Sequence, residues 1–178
     1  GDLYPEALAA HYLFGDIPET LNCLDFSMRQ APLPNSINRM PTYSLWWILI
    51  HYDWYMKFGS LEYLSEQSDY LLALIDVVAS LVKENGSENM PDCRFIDWPN
   101  QANPEATHAG LQGMMVMALE AGSVLASALS AVETVEKCNE ALAKLKSYVP
   151  SPAGSKQAAS LLAYSGVADA KKMDDEII

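Results

Sequence analysis

The segment "CRFIDWPNQ", residues 93–101, places a carboxylate beside an indole between two long predicted helices. Asp97 and Trp98 suit carbohydrate binding, because an indole stacks on the apolar face of a sugar ring and a carboxylate accepts hydrogen bonds from its hydroxyls. The alternative is structural: Trp98 closes the end of the helical layer, and Asp97 caps the turn. The residues alone leave both interpretations open.

A second group of aromatic residues lies on the helix predicted over residues 43–58, "YSLWWILIHYDWYMKF". This helix is apolar on nearly every side, so most of its rings, Trp54 and Tyr55 among them, are expected in the core. Trp46 and Trp47 lie at its N-terminal end, next to a loop that contains three prolines. Trp46 is therefore a candidate binding residue, with a place in the core as the alternative.

The three histidines lack the HxxxH or HxH spacing of a metal site. His108 opens the helix that follows the Asp97 loop, which makes it a candidate binding residue. A hydrogen-bonded role in the first turn is the alternative. There is no glycine-rich phosphate loop and no G-x-S-x-G motif, and the acidic run at 174–176 is typical of a solvated helix face. We predict no metal site and no cofactor.

Composition narrows the class of protein. The 178 residues carry a formal net charge of −12, which argues against nucleic acid and against an anionic membrane surface as partners. No apolar run approaches the roughly 20 residues of a membrane span. Cys23, Cys93 and Cys138 are widely spaced and form no CxxC pair, so we expect free, buried thiols. The compartment is not encoded in these features.

Helical signals run through the chain and predict an all-α fold. Gly15 ends the first helix, and Asp16 with Glu19 forms an apparent capping box for the second. Ser60 and Asn103 are expected N-caps of later helices. The expected helices cover approximately residues 3–14, 16–29, 43–58, 60–81, 104–129, 132–148, 156–164 and a last one from 168.

An internal repeat indicates how these helices pair. The stretches "HYLFGDIPETL", "WYMKFGSLEYL" and, more loosely, "AYSGVADAKKM" each read as a helix, a tight glycine turn and a second helix. Repeated αα-hairpins form either an open solenoid or a closed α/α toroid. Long loops rich in proline, asparagine and tryptophan separate the hairpins, and long loops on one side of a scaffold typically carry a site. This asymmetry favours part of a toroid.

The chain opens with "GDLYPE" and closes with "KKMDDEII". Neither end carries an initiator methionine, a signal peptide or a capping glycine. We therefore expect residues 1–178 to be a single all-α segment of a larger catalytic domain.

Several motifs together resemble a known family. In order they are "GD" with a following "PE", a helix ending in "FGD", the loop leading into "PTYSLWWILIHYDWY", a second "FG" turn, "FIDW" and "EATHAGLQ". Their order and spacing resemble the catalytic domain of bacterial α-L-rhamnosidases, which are glycoside hydrolases with an (α/α)6 barrel. The resemblance extends over most of the chain, although none of its motifs is decisive alone.

The resemblance implies inverting hydrolysis of a terminal α-L-rhamnoside. One carboxylic acid protonates the leaving oxygen and a second carboxylate activates water, about 6.5–9.5 Å away. The family's acid lies in an Arg-Glu pair before a Trp-x-Gly-Asp motif, of which only Gly1 and Asp2 are present here, and its base lies on a later hairpin. The resemblance thus places no catalytic residue in this chain, which by itself is expected to be inactive.

By the same resemblance, Asp2 corresponds to the family's sugar-binding aspartate, and Asp97 with Trp98 corresponds to its Asp-Trp loop at the barrel mouth. The expected substrate-binding residues are therefore Asp2, Trp46, Asp97, Trp98 and His108. A half-barrel would also leave apolar helix faces uncovered, which predicts self-association or marginal stability. Relatives often act in the periplasm or outside the cell, but the chain carries no signal for either.

The competing interpretation is a non-catalytic helical repeat module that binds a protein partner. A terpenoid cyclase, the third class, needs a metal-binding acid cluster on an apolar cavity, and only the acidic run at 174–176 resembles one. The first two interpretations differ in where the five candidate binding residues lie. Convergence at one mouth of the helical layer favours the glycosidase, whereas Asp2 and Asp97 at opposite ends of the layer would contradict it.

Overall fold

Helices supply the regular secondary structure throughout the described chain. The computed structural model describes residues 2–177, so Gly1 of the Gly-Asp pair and Ile178 lie outside it. Over these residues nine α-helices follow one another: Leu3–Phe14 (α1), Pro18–Gln30 (α2), Pro41–Phe58 (α3), Leu61–Glu66 (α4), Ser68–Ser80 (α5), Pro104–Ala128 (α6), Val132–Ser147 (α7), Lys156–Tyr164 (α8) and Ala170–Ile177 (α9). Short 3₁₀ turns at Ile37–Arg39 and Trp98–Asn100 lie in two long connections. The all-α prediction is confirmed for this part of the chain.

Helix α6 forms the centre of the fold. Helices α3, α5, α7 and α8 all pack on it. Among the described helices, α6 alone has the length and apolarity of a membrane span, but 78% of its most apolar window is buried inside the fold. We therefore interpret its apolarity as that of a core helix, which is surrounded by protein on nearly every side.

Small residues allow neighbouring helices to approach α6 closely. A Cβ atom added at Gly113 would lie 2.7 Å from the carbonyl oxygen of Leu161, so the backbones of α6 and α8 are nearly in contact. At Gly122 an added Cβ would lie 3.1 Å from the side chain of Ile75 on α5. Glycine at these positions sets the distance between helices rather than a turn.

Two of the predicted helix caps are confirmed. The Ser60 hydroxyl accepts from the backbone N–H of Tyr63 at 3.4 Å, and the Asn103 side chain accepts from the N–H of Ala106 at 3.1 Å. Gly59 ends α3 with a φ of 70°, in the left-handed conformation that glycine adopts without steric cost.

The predicted capping box at Asp16 is wrong. Helix α2 begins at Pro18, with Ile17 as the N-cap residue and no side-chain cap. Asp16 instead accepts a hydrogen bond from the indole nitrogen of Trp54 at 2.9 Å. Trp54 is buried, so its N–H needs an acceptor, and Asp16 fills this role because a proline at the first helical position already suits the helix start.

The helix predicted over residues 60–81 is divided at Gln67 into α4 and α5. Two serine hydroxyls on either side donate to backbone carbonyls, Ser65 to Leu61 at 2.7 Å and Ser68 to Ser65 at 2.7 Å. Hydroxyls that bond backward in this way compete with the helical ladder and bend helices. The apolar stripe crosses the break, which explains why the pattern predicted a single helix.

The predicted glycine turns are present after α1, α3 and α8. Gly15, Gly59 and Gly166 have φ values of 80°, 70° and 71°. Helix α9 packs on α8, and α3 packs on α4, as expected within hairpins. The assembly of these hairpins into part of an (α/α)6 toroid stays a prediction.

Free cysteines were predicted, and the three thiols are unpaired in the described structure. Their predicted burial holds for Cys138 only, because Cys23 and Cys93 are exposed. Asp174 and Asp175 are exposed, in keeping with a solvated face at the acidic run, and the side chain of Glu176 lies outside the described structure.

Gly113→Ala and Gly110→Ala form a matched pair that tests the close approach of α8. The new Cβ meets backbone atoms of Leu161 at Gly113, but at Gly110 its nearest neighbour is the flexible tip of Ile96, at 2.6 Å. We expect Gly113→Ala to lower the free energy of unfolding by about 1–3 kcal/mol, because backbone atoms cannot move aside. Gly110→Ala should lower it clearly less, because the Ile96 side chain can shift and the helix preference of alanine then offsets the remaining cost. Urea unfolding measures both, and equal losses would contradict a backbone contact.

Candidate functional site

A large cavity lies between the C-terminal end of α2, the proline-rich loop 31–40 and the first half of α3. Its volume is about 980 Å³, near the upper end of the roughly 300–1,000 Å³ of small-molecule pockets. Tyr43 and Trp46 on α3 supply aromatic surface, while Asp2, Arg39 and Asp92 supply charged groups. Amide and hydroxyl groups complete the polar lining, at Ser27, Gln30, Asn35, Ser36 and Asn38.

The loop that forms one wall is held in an unusual backbone conformation. Asn38 and Arg39 have φ values of 52° and 59°, and Asp92, which faces the same cavity, has 64°. These left-handed angles are disfavoured in residues with a side chain and persist only where the surroundings enforce them. Such residues cluster at functional sites, so this wall is a candidate site on backbone grounds as well.

Hydrogen bonds fix this wall from two sides. The N–H of Ile37 donates to the buried hydroxyl of Ser44 at 2.9 Å, which ties the loop to α3. The N–H of Cys93 donates to the carbonyl oxygen of Arg39 at 3.2 Å, which ties it to the segment that follows Asp92. The backbone segments that carry Arg39 and Asp92 are therefore held together and tied to α3 by these two hydrogen bonds.

Trp46 has a packing partner on α1. Its ring centroid lies 4.5 Å from that of Tyr4, with a 31° angle between the planes. The neighbouring Trp47 turns into the core, where its indole N–H donates to the carbonyl of Leu24 at 3.0 Å. Both tryptophans line the cavity, but Trp47 is a core residue that is 1% exposed, whereas Trp46 is half-buried.

The five predicted binding residues do not share one cavity. Asp2 and Trp46 line the large cavity. Asp97 lines a second, polar cavity of about 520 Å³ with Asn100, Asn103 and Gln157. Trp98 is 73% exposed and packs edge-to-face on Phe95 at 5.2 Å between ring centroids. His108 lines neither of these two cavities, so the structure does not gather all five around one of them.

Asp97 makes the contacts of a cap. One of its carboxylate oxygens accepts from the N–H of Trp98 at 2.8 Å, at the start of the 3₁₀ turn Trp98–Asn100. The other accepts from the side chain of Gln157 at 3.4 Å. The structural alternative for Asp97 is therefore realised, while Trp98 keeps an open indole face.

A buried carboxylate, Glu88, organises the surroundings of His108. Its side chain is 0% exposed and bonds to Nδ1 of His108, to the guanidinium of Arg94 and, at 2.8 Å, to the backbone N–H of Met90. Burial alone raises the pKa of Glu88, but the bonds from His108, Met90 and Arg94 outweigh it and hold the pKa below its ordinary value.

Gln112 fixes the turn that carries Glu88. Its side-chain carbonyl accepts from the N–H of Glu88 at 2.8 Å, and its amide donates to the carbonyls of Gly86 and Leu145, both at 2.9 Å. Glu88 was not among the residues predicted from the sequence. The available signal was a pair of polar residues, His108 and Gln112, four positions apart on an otherwise apolar helix.

A second buried polar group lies between α1 and α3. His11 is buried with no hydrogen-bond partner on either ring nitrogen among the described residues, and Oδ2 of Asp53 is likewise without one. Burial lowers the pKa of His11, helped by the charge of Lys57, and burial raises the pKa of Asp53. Both groups therefore favour their neutral forms more than in water.

Within the part of the chain that the structure describes, no group of three histidine, cysteine, aspartate or glutamate residues could hold a metal ion. Comparison with known proteins adds no assignment, since no family model and no curated protein matches this sequence.

Replacement of Glu88 tests the buried ion pair. Glu88→Gln leaves Arg94, whose side chain is 35% exposed, without its charged partner, and we expect the free energy of unfolding to fall by about 1–3 kcal/mol, the usual cost of losing hydrogen bonds to a charged group. The matched control is Glu84→Gln, because Glu84 also pairs with a cation, Lys144, but its side chain is 94% exposed. That control should change stability by less than about 1 kcal/mol. Similar losses in the two variants, measured by urea unfolding, would contradict a dominant role for Glu88.

The burial of His51 makes the stability of the fold depend on pH. Complete burial lowers its pKa to about 4, against a smaller opposite effect of its bond to the carbonyl of Trp47. Below about pH 6.5 the unfolded chain binds a proton that the folded chain excludes, so stability falls as the pH drops from 6.5 towards 4, by about 3 kcal/mol at the lower end.

His51→Leu should reduce by up to one the number of protons that the chain takes up on unfolding between pH 7 and 4, so stability depends less on pH. This holds whatever the substitution does to stability at neutral pH. The measurement is the slope of the unfolding free energy against pH between 7 and 4 in the two proteins. Equal slopes would contradict a neutral His51 in the folded state.

Proposed function

We propose that this chain is a carbohydrate-binding segment of a glycoside hydrolase resembling α-L-rhamnosidases, and that the cavity beside α3 receives the sugar. The observation that carries the proposal is the meeting of Asp2 and Trp46, predicted independently as binding residues, in one cavity. Trp46 offers a ring face for stacking, and carboxylates and amides offer partners for hydroxyl groups.

The lining of the cavity supports a sugar over an apolar ligand. Donor-only Arg39, acceptor-only Asp2 and Asp92, and the amides of Gln30 and Asn38 face the same space. A sugar hydroxyl both donates and accepts, so it can satisfy either kind of group. An apolar ligand of the same size would remove these groups from water without replacing their hydrogen bonds.

In this proposal the residues of the chain bind the substrate and do not transfer the proton. Asp2 and Asp92 are exposed, whereas a general acid is ordinarily kept protonated by an apolar, buried setting. Inverting hydrolysis of a terminal α-L-rhamnoside therefore takes its acid and its base from residues outside this chain. No cofactor enters the reaction.

Asp97, Trp98 and His108 belong to the proposal as further contacts to the carbohydrate. Trp98 offers its exposed indole to a second sugar unit, and the amides beside Asp97 offer hydrogen bonds. His108 donates from Nδ1 to Glu88, which fixes the orientation of its ring. These three residues do not line the large cavity, so their contribution to affinity is expected to be separable from that of Trp46.

One observation favours the alternative, a helical module that binds a protein partner or a second copy of itself. Tyr12, Leu13 and Phe14 at the end of α1 are 82%, 74% and 70% exposed. Apolar residues exposed together mark interaction surfaces. Sedimentation of the chain at several concentrations distinguishes a self-associating segment from a monomer.

Isothermal titration with methyl α-L-rhamnoside tests the proposed binding. We expect Trp46→Ala to weaken binding about tenfold, the amount expected for one stacking contact. Phe14→Ala is the matched control, because it removes an exposed aromatic ring that does not line the cavity. Equal affinities of the two variants, or no binding by the unmodified chain, would contradict the proposal.

Turnover of an aryl α-L-rhamnoside tests where the catalytic residues are. The purified 178-residue chain should release no aryl alcohol above the uncatalysed rate, since acid and base are both missing. Robust hydrolysis that persists through further purification and disappears in Asp2→Asn would overturn the assignment of Asp2 to binding alone.

A further inference from the structure

Arg39 is the one basic residue among those that line the large cavity. Its guanidinium has no hydrogen bond or ion pair with any residue in the described part of the chain. Most other basic side chains of this acidic protein are paired. The described ion pairs of Lys and Arg are Arg29–Asp25, Arg94–Glu88, Lys137–Asp76, Lys144–Glu84, Lys146–Glu120 and Lys171–Asp175.

The backbone holds Arg39 in place although its side chain is unpaired. Its N–H donates to the carbonyl of Ser36 at 2.9 Å, and its own carbonyl accepts from the N–H of Cys93 at 3.2 Å. Its left-handed φ of 59° follows a left-handed Asn38. Because its backbone is already fixed, Arg39 loses only side-chain entropy when it binds a ligand, and no loop-ordering entropy is added.

The neighbouring acids leave Arg39 available. Asp92 precedes the residue that bonds to the Arg39 carbonyl, and Asp2 lines the same cavity, yet neither forms an ion pair with the guanidinium within 4.0 Å. Opposite charges that share a cavity without pairing leave room for a ligand group between them.

We infer that Arg39 determines specificity by binding the carboxylate of an acidic sugar, so that the carbohydrate carries a uronic acid unit. This inference rests on the proposed function of the cavity. The planar guanidinium fork matches a carboxylate through two parallel, charge-assisted hydrogen bonds. The hydroxyl groups of the same carbohydrate bind Asp2 and Asp92.

A carboxylate fits these surroundings better than a phosphate or sulfate ester at the same place. A phosphate monoester carries close to two negative charges, and Arg39 balances only one of them, in a cavity that already holds two carboxylates. A sulfate carries one charge, but its tetrahedral oxygens do not match the planar fork as a carboxylate does.

Two matched disaccharides test the inference on the 178-residue chain. One joins α-L-rhamnose to a uronic acid, and in the other the carboxylate of that acid is reduced to a primary alcohol. Titration calorimetry should show the acidic disaccharide binding about tenfold more tightly at low salt, as expected for one bidentate charged contact. The difference should shrink as salt screens the pair.

Three variants assign the preference to Arg39. Arg39→Gln should abolish the preference by lowering the affinity for the acidic disaccharide to that for the reduced one. Arg39→Lys should keep part of the preference, because the charge remains and the fork is lost. Lys83→Gln is the matched control for net charge, since Lys83 also has no described ion pair and does not line the cavity. It should keep the full preference.

The outcomes separate this inference from the proposed function. Equal binding of the two disaccharides by the unmodified chain, or a preference that survives Arg39→Gln, overturns the role of Arg39 and leaves sugar binding intact. Binding of neither disaccharide by a folded chain overturns both. Loss of the preference in Lys83→Gln as well would assign it to overall charge and not to Arg39.

Discussion

Close packing around α6 is the constraint on which the rest of the structure depends. Helix α8 approaches so closely at Gly113 that no Cβ fits beside Leu161. Contacts between helices gain little from any single pair of atoms but much from many pairs, so this small-residue surface stabilises the whole layer. It also leaves few places for polar groups, and those that enter the core, such as Gln112, must satisfy their hydrogen bonds inside it.

The candidate site follows from this packing. Because α3 packs on α6 with most of its faces buried, its first turns emerge at one fixed place, where Tyr43 and Trp46 meet the proline-rich loop. The loop is then fixed by Ser44 on α3 and by the segment after Asp92. The rigid core and the strained wall thus form one continuous support for the charged groups of the cavity.

Features that depend on neighbouring residues were predictable from the sequence, and features that depend on distant ones were not. Ser60 and Asn103 cap helices through bonds to residues three positions away. Asp16 had an equally good local signal, but a buried indole 38 residues away provided its partner instead. Glu88 lies in a loop with no local signal, and Arg39 acquires its setting only when two loops meet. Similarly, the resemblance predicted Asp2 near a sugar, but not which side chains would surround it.

The most direct test of a sugar site in the α3 cavity is a ¹H–¹⁵N NMR titration of the chain with methyl α-L-rhamnoside. The account predicts shift changes at the indole N–H of Trp46 and at the backbone amides of Tyr43, Arg39 and Asp92. The indole N–H of the buried Trp54 should stay unchanged. Changes confined to Tyr12 and its neighbours at the end of α1, or no changes in a folded chain at saturating sugar, would contradict it.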